Sequence, residues 1–297
     1  MSRYRSGNLF FTILELSKVR ITVAVAFTTI TGYILAARNY STGFLLPTLG
    51  IFLLACGSSV INHLQERRSD ALMVRTRNRP LPAHKATPTQ AALLALAETL
   101  AGSVILFLSG GMVALALGLL AMIWYNGIYT HLKRITPHAV IPGSVIGSIP
   151  PLVGWVSAGG SLISSEAGIL ALFFFVWQVP HFYLLALKYG PEYESAGMPS
   201  ISSRWNLDAA RRYIFIWVVV TALTAVVAAF TPLAISRVTS WMITLAAFLL
   251  ILWYLPFLRE KREPFPVFTY FMRINYFVLA VTVMLTAGPL LLRWFNG

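Results

Sequence analysis

The sequence predicts an all-α, polytopic membrane protein with about nine transmembrane helices. Of its 297 residues, 57% are hydrophobic and only 11% are charged, whereas soluble domains average about 25% charged residues. A water-soluble core could not bury this much apolar surface, so a lipid bilayer is the expected surrounding. No separate soluble segment or low-complexity tract interrupts the chain, and residues 1–297 are therefore expected to form a single integral-membrane domain.

The apolar residues are grouped in runs of the roughly 20 residues that a membrane-crossing helix needs. Prolines and glycines inside these runs are tolerated in membranes, because neighbouring helices satisfy the backbone groups that they free. The predicted spans cover approximately residues 19–37, 44–62, 88–109, 112–130, 138–158, 165–187, 212–231, 238–257 and 274–292.

The basic residues are divided unequally between the two sides of this predicted topology. Of the 23 lysines and arginines, only Arg38, Arg237 and Arg293 fall on the side away from the N-terminus. The positive-inside rule therefore predicts a cytoplasmic N-terminus and an external C-terminus, in a bacterial plasma (inner) membrane. Topology accounts for most of the formal charge of +13, so nucleic acid is not an expected partner. The lone cysteine, Cys56, excludes a disulfide within the chain.

The second predicted span ends in a segment rich in metal-binding and phosphate-binding side chains. Asn62, Glu66 and Asp70 are spaced i, i+4 and i+8, which places their oxygen atoms on one face of a helix. Such oxygen donors suit a hard cation such as Mg²⁺, and arginines suit phosphate oxygens. The alternative is a solvated loop with an ordinary basic excess. The arginines of this segment are Arg67, Arg68, Arg75, Arg77 and Arg79.

Two further segments carry polar residues near the ends of spans. Tyr125, Tyr129 and Lys133 are one helical turn apart and would offer aromatic rings to a cation and a positive charge to a diphosphate. The alternative is an interfacial aromatic belt. His181 lies inside the sixth apolar run, where an ionisable residue usually faces a cavity. A packing histidine that bonds to a backbone carbonyl is the alternative.

A second acidic cluster follows His181 at the end of the same run. Glu192 and Glu194 lie in the segment from Lys188 to Pro199. They would share a Mg²⁺–diphosphate group with the first cluster if both lie on the same side of the membrane. The alternative is an exposed turn around Pro191.

Five sequence blocks occur in a fixed order between Lys18 and Pro199. The blocks are Asn62-x-x-x-Glu66-x-x-x-Asp70 running into Met73-x-Arg75-Thr76-x-x-Arg79-Pro80-Leu81, Tyr129-Thr130-x-Leu132-Lys133-Arg134, Pro150-Pro151-Leu152-x-Gly154-Trp155, Trp177-x-x-Pro180-His181-Phe182, and Glu192-Tyr193-x-x-Ala196-Gly197-x-Pro199. Together they resemble the UbiA superfamily of intramembrane prenyltransferases, and within it the protohaem IX farnesyltransferases. The family's Lys-Pro-Arg opening reads Lys18-Val19-Arg20 here, and Ser200-Ile201-Ser202 replaces its Met-Leu-Pro.

The resemblance implies a helical fold around a central cavity and a specific reaction. In that reaction a farnesyl group passes from farnesyl diphosphate to the 2-vinyl group of haem b, and water adds, giving haem o and diphosphate. The implied catalytic residues are Asn62, Glu66, Asp70 and His181, and the implied Mg²⁺ ligands are Asn62, Glu66, Asp70 and Glu192. The implied substrate-binding residues are Arg20, Arg75, Arg79, Tyr125, Tyr129, Lys133, Arg134 and Lys188.

The implied partners are farnesyl diphosphate, haem b, membrane lipid, and a downstream haem a synthase or terminal oxidase assembly. Two other functions remain open on sequence grounds. One is a prenyltransferase of the same superfamily that acts on an aromatic quinone precursor or another lipid. The other is a membrane protein that binds or transports haem without catalysis.

Overall fold

The computed structural model describes residues 8–201, 205–234, 236–260 and 265–296, with side chains described as far as Gly288. Throughout these ranges the regular secondary structure is helical, which confirms the predicted all-α class. A short π-helical turn, Trp124–Tyr129, follows the fourth helix. The helices are α1 (Leu9–Leu16), α2 (Val19–Ala37), α3 (Leu45–Asp70), α4 (Pro88–Ile123), α5 (Thr130–Leu132), α6 (Val140–Gly143), α7 (Val145–Ser157), α8 (Ser165–Ser195), α9 (Leu207–Ala229), α10 (Arg237–Tyr254) and α11 (Val267–Asn296).

Eight helical segments of the described chain are long and apolar enough to cross a membrane, and the protein is an integral membrane protein. One of them, Pro88–Leu132, has 45 residues and reverses direction inside α4. Gly111 has φ 69° and ψ −165°, which no helix accommodates. The Oγ1 of Thr99 lies 3.8 Å from the Sδ of Met122, although a straight helix would separate these residues by about 34 Å. The two arms are therefore antiparallel, and dividing this segment at Gly111 gives nine spans within the described residues, as the sequence predicts.

Two helices extend beyond the apolar runs that predicted them. The run expected to end at residue 62 continues as α3 to Asp70, and the run expected to end at residue 187 continues as α8 to Ser195. Apolarity ends where the helices leave the hydrocarbon, but the helical hydrogen bonds continue. The acidic residues of both motifs therefore lie on helices, and Pro191, around which an exposed turn was the alternative, is a part of α8 instead.

Close helix contacts bring the site-bearing elements together. A Cβ atom at Gly32 of α2 would overlap the carbonyl oxygen of Pro151 in α7, and one at Gly154 of α7 would overlap the carbonyl oxygen of Thr29 in α2. Small residues permit such backbone approach where lipid offers no hydrophobic drive between helices. The contact fixes α2 and α7 as neighbouring walls of the cavity described below.

The largest buried side chains gather on the other side of the molecule. α8 packs against α9 and α11, and α9 against α10, around a core that contains Phe173, Tyr183, Tyr254 and Tyr270. One face of α8 is packed in this core, and other residues of α8 line the cavity described below.

Candidate active site

A cavity of about 390 Å³ lies between α2, α3, α4, α7 and α8. It joins a charged end, built by α3 and the segment after it, to an aromatic end, built by the π-helical turn and α8. Most of the side chains that the sequence singled out are brought together here, from segments more than 100 residues apart. The predicted site residues that line the cavity are Asn62, Glu66, Asp70, Arg75, Arg79, Tyr125, Tyr129, Lys133 and His181.

Asn62, Glu66 and Asp70 form a row along the buried face of α3. They are only 1%, 6% and 1% exposed, respectively. The Nδ2 of Asn62 donates to Thr130 Oγ1 at 3.2 Å, which leaves its amide oxygen free to face the charged end. Because buried polar groups without partners are costly, this burial means that each of the three side chains must be held by a cation or a donor.

Each of the three side chains of this row contacts one basic side chain. The matching contacts are Lys18 Nζ to Asn62 Oδ1 at 2.8 Å, an ion pair between Lys133 and Glu66, and Arg79 Nη1 at 2.9 Å from both carboxylate oxygens of Asp70. A buried carboxylate without such a partner would cost several kcal/mol, roughly. The three cations come from three different segments, so the charged end exists only in the folded protein.

The oxygen-only donor set fits a hard divalent cation such as Mg²⁺. Among the described residues no group of three His, Cys, Asp or Glu side chains is arranged to hold a metal. A metal site at this end therefore depends on the amide oxygen of Asn62 together with the carboxylates of Glu66 and Asp70. The basic partners of these carboxylates have long side chains that can turn towards phosphate oxygens instead.

Lys18 is a site residue that the sequence reasoning missed. It has a left-handed backbone, with φ 47°, at the junction between α1 and α2, and this geometry turns its side chain into the cavity. Burial, together with the nearby charge of Arg79, lowers the pKa of Lys18 to about 7. Arg20, which was predicted instead, is exposed on α2 and does not line the cavity. The Lys18-Val19-Arg20 segment predicted a site residue at this position in the chain. It did not indicate which of its two basic residues faces the cavity.

The segment after α3 is fastened to the end of α8. The backbone N–H of Arg75 donates to Glu192 Oε2 at 3.1 Å, and the Arg75 guanidinium lies 4.5 Å from the centroid of the Tyr189 ring. Tyr193 faces the cavity, whereas Glu192 is not among the lining residues. Glu192 thus positions the arginine-bearing segment in this structure, and its role as a metal ligand stays a prediction.

Arg134 and Lys188 also lie outside the cavity lining. The Nη2 of Arg134 donates to the carbonyl oxygen of Gln65 at 3.1 Å, and Lys188 Nζ lies 4.3 Å from the centroid of the Phe268 ring. Both side chains are exposed. Their predicted contacts with substrate stay predictions.

Three parallel aromatic rings run along the cavity wall from the charged end. The rings of Tyr125 and Tyr129 are stacked with centroids 5.8 Å apart, and Tyr129 and Phe182 are stacked at 5.9 Å. Lys133 Nζ lies 5.6 Å from the centroid of Tyr129, the middle ring of this column, and the His181 ring lies 5.5 Å from Phe182, the ring at one end. π-Helical turns such as the one carrying both tyrosines are frequent at functional sites. Phe182 belongs to the recognised Trp-x-x-Pro-His-Phe block, but sequence reasoning did not assign it to the site.

His181 is held at the aromatic end by a side chain of α11. Its Nδ1 lies 2.8 Å from Asn275 Oδ1, and the Nδ2 of Asn275 donates to the carbonyl oxygen of Phe271 at 2.6 Å. The ring also packs on Phe271, with centroids 4.6 Å apart. The alternative interpretation of the sequence was that His181 bonds to a backbone carbonyl. The observed partner is a side-chain amide, that of Asn275, 94 positions away in the chain.

Comparison with solved structures identifies the same fold. A structure of digeranylgeranylglyceryl phosphate synthase in membranes superposes with a TM-score of 0.76, over 94% of this chain and 98% of that chain, at 16% sequence identity. A UbiA homolog from Archaeoglobus fulgidus bound to GPP and Mg²⁺ superposes with a TM-score of 0.60, over 93% and 99% of the two chains, at 14% identity. At such low identity these likenesses show the fold alone.

Comparison of sequences gives the family. The protoheme IX farnesyltransferase of Oleidesulfovibrio alaskensis is 38% identical over 185 residues, which are 62% of this chain and 66% of that protein. The chain thus matches slightly less than two thirds of the length of this relative. A sequence model described as the UbiA prenyltransferase family matches residues 25–277. The chain therefore belongs to the UbiA prenyltransferase family.

Proposed function

We propose that this protein transfers the farnesyl group of farnesyl diphosphate to the 2-vinyl group of haem b and adds water, giving haem o and diphosphate. The observation that carries the proposal is one cavity that connects a buried row of oxygen donors and cations to an aromatic column ending in His181. The relatives named protoheme IX farnesyltransferase support the haem acceptor. The homolog bound to GPP and Mg²⁺ supports a prenyl diphosphate donor.

The charged end suits the leaving group. When the allylic C–O bond breaks, negative charge develops on the diphosphate, and donors placed in advance around that charge lower the barrier. Arg75, Arg79, Lys133 and Lys18 supply these donors. A Mg²⁺ ion held by Asn62, Glu66 and Asp70 would neutralise further charge on the diphosphate oxygens. The basic side chains would then exchange their carboxylate partners for phosphate oxygens without leaving any buried charge unpaired.

The aromatic column suits the allylic cation that remains. Tyr125, Tyr129 and Phe182 present ring faces, whose negative quadrupoles attract a cation by about 0.5–2 kcal/mol each. Their apolar edges also exclude water from the reactive carbon. This protects the cation until the electron pair of the vinyl group forms the new carbon–carbon bond.

The proposed setting is the plasma membrane of a bacterium, with the N-terminus and the charged end of the cavity on the cytoplasmic side. The segment that closes the charged end carries Arg67, Arg68, Arg75, Arg77 and Arg79, as the positive-inside rule requires of a cytoplasmic loop. Both proposed substrates combine an apolar body with an anionic group, and lipid is the solvent for that body. The haem o product would pass to a downstream haem a synthase or terminal oxidase.

The test is reconstitution of the purified protein in lipid vesicles with haem b, farnesyl diphosphate and Mg²⁺. Mass spectrometry of the extracted haems should show farnesylated, hydrated haem, and diphosphate should be released in an equal amount. Omission of haem b should abolish diphosphate release. Prenylation of a quinone precursor with haem b left unchanged, or haem binding with no diphosphate release, would overturn the proposal.

A further inference from the structure

The contact between His181 and Asn275 determines which ring nitrogen of His181 carries the proton. The Nδ2 of Asn275 donates to the Phe271 carbonyl, so the amide oxygen of Asn275 is the atom that faces His181. A carbonyl oxygen can only accept a hydrogen bond, and therefore Nδ1 of His181 must donate it. In the neutral ring Nε2 then carries a lone pair. Among the described residues no side chain or backbone group bonds to this Nε2, and the His181 ring lines the cavity.

A second acceptor stands one helical turn away on the same face of α8. Gln178 lines the cavity, and its Oε1 has no hydrogen-bond partner within the described part of the chain. Its side chain packs against Gly147 of α7, where an added Cβ would overlap the amide. Residues spaced i and i+3 on a helix have Cβ atoms about 5–6 Å apart. Gln178 and His181 therefore stand next to each other on the cavity wall.

Two acceptors without partners match a ligand that has two donors. A water molecule that donates one O–H to His181 Nε2 and the other to Gln178 Oε1 keeps its lone pairs free. Ligation of the haem iron by His181 would use Nε2 alone and leave Gln178 without a partner. The arrangement is thus better matched to a nucleophilic water than to iron.

We propose that Asn275 is a positioning residue that keeps the Nε2 lone pair of His181 in the cavity, and that His181 and Gln178 hold the water that completes the reaction. This inference rests on the proposed function. After the vinyl group has bonded to the farnesyl carbon, the positive charge lies on the carbon next to the porphyrin. The water oxygen forms a bond to that carbon, and its proton passes to His181 Nε2. Charge and atoms balance, because the electron pair of the broken C–O bond has left with diphosphate.

The readout is the ratio of two products. If no water is held, the same cation loses a proton from the adjacent carbon and gives an alkene that is lighter by one water. Asn275→Leu removes the acceptor, and we expect the ratio of hydrated to dehydrated farnesyl haem to fall about tenfold or more, since a positioned base contributes roughly 10²–10⁴-fold. Diphosphate release should change by no more than about twofold, because bond cleavage precedes hydration. A merely structural role would lower both products together.

Three further variants make the test decisive. Asn275→Asp keeps an oxygen acceptor for Nδ1–H and should retain the wild-type ratio. Gln178→Leu should lower the ratio even if Asn275→Leu fails to fold. Tyr276→Phe is the matched control, because Tyr276 is the next residue on α11 and is 54% exposed.

An unchanged ratio in Asn275→Leu or in Gln178→Leu would overturn the water site. His181→Ala gives a further test. If this variant no longer shifts the absorbance of bound haem but keeps the wild-type product ratio, His181 ligates the haem iron and the water site is overturned. Failure of the wild-type protein to farnesylate haem b at all would overturn the proposed function instead, so the two failures are distinguishable.

Discussion

The two ends of the cavity are built in different ways. The charged end takes its acceptors from a single helix face, where Asn62, Glu66 and Asp70 follow one another at four-residue spacing on α3. The aromatic end takes its components from three different elements: two tyrosines from the π-helical turn, Phe182 and His181 from α8, and Asn275 from α11. Local spacing thus specifies the acceptors of the first end, whereas only packing assembles the second.

The difference has an energetic consequence. At the charged end every acceptor is charged or strongly polar and buried, so loss of one partner leaves the other uncompensated at a cost of about 3–5 kcal/mol. At the aromatic end the contributions are those of single rings and neutral hydrogen bonds, about 0.5–2 kcal/mol each. Substitutions should therefore have larger effects at the charged end, and the following predictions test this order.

The largest effect is expected for Asp70→Asn. This change keeps the shape of the side chain but removes the charge that pairs with Arg79 and is proposed to hold Mg²⁺. We expect turnover to fall about 10²–10³-fold, as when one preorganised electrostatic group is removed. Glu15→Gln is the control, because Glu15 is exposed and does not line the cavity. The measurement is turnover at a series of Mg²⁺ concentrations. Wild-type activity of Asp70→Asn at low Mg²⁺ would contradict the metal role.

The next effect concerns the arginines that follow α3. Arg79→Gln should weaken use of farnesyl diphosphate by about 10–100-fold, since a hydrogen bond to a charged group contributes roughly 1.5–3 kcal/mol. Arg67→Gln and Arg68→Gln should leave it nearly unchanged, because both arginines are exposed and outside the cavity lining. The measurement is kcat/KM for the diphosphate. Equal losses in all three variants would mean that the overall charge of the segment matters, and not a specific clamp.

A smaller effect is expected at the junction between α1 and α2. Lys18→Met should weaken diphosphate use by about tenfold, because one charge-assisted contact near Asn62 is lost. Arg20→Gln, only two residues along, should change it little, since that side chain is exposed. Binding of farnesyl diphosphate to the two purified variants, compared at one pH, decides between them. If Arg20→Gln loses more affinity for farnesyl diphosphate than Lys18→Met, Arg20 is the substrate-binding residue, as the sequence predicted.

The smallest effect is expected in the aromatic column. Phe182→Leu should reduce turnover about fivefold, because one ring face worth about 1 kcal/mol no longer meets the allylic cation. Phe248→Leu on α10 is the control, as Phe248 is 57% exposed and does not line the cavity. Single-turnover rates would show the effect on bond cleavage directly. A loss of turnover as large as that of Asp70→Asn would mean that substitutions at the aromatic end affect the rate as strongly as those at the charged end.

Much of the fold and part of the site could be predicted from sequence. Apolar runs of the right length predicted the membrane spans, and the helix spacing of Asn62, Glu66 and Asp70 predicted a common face, because both depend on residues close in the chain. The inward orientation of Lys18 could not be predicted, since it depends on a left-handed backbone at one residue. The place of Glu192 could not be predicted either, because α8 continues past the apolar run and directs Tyr193, not Glu192, to the cavity.

The sequence by itself determined the class of the protein, the positions of its membrane helices and the oxygen-donor row, because hydrophobicity and helical periodicity act over a few residues. Tertiary structure decided which cation meets each donor, that Phe182 completes the aromatic column, and that Asn275 sets the proton of His181. Most of these contacts join side chains that lie 44 to 94 positions apart in the chain, whereas Arg79 and Asp70 are nine positions apart. Their partners are chosen by how helices cross and which faces they bury, and no local pattern records that choice.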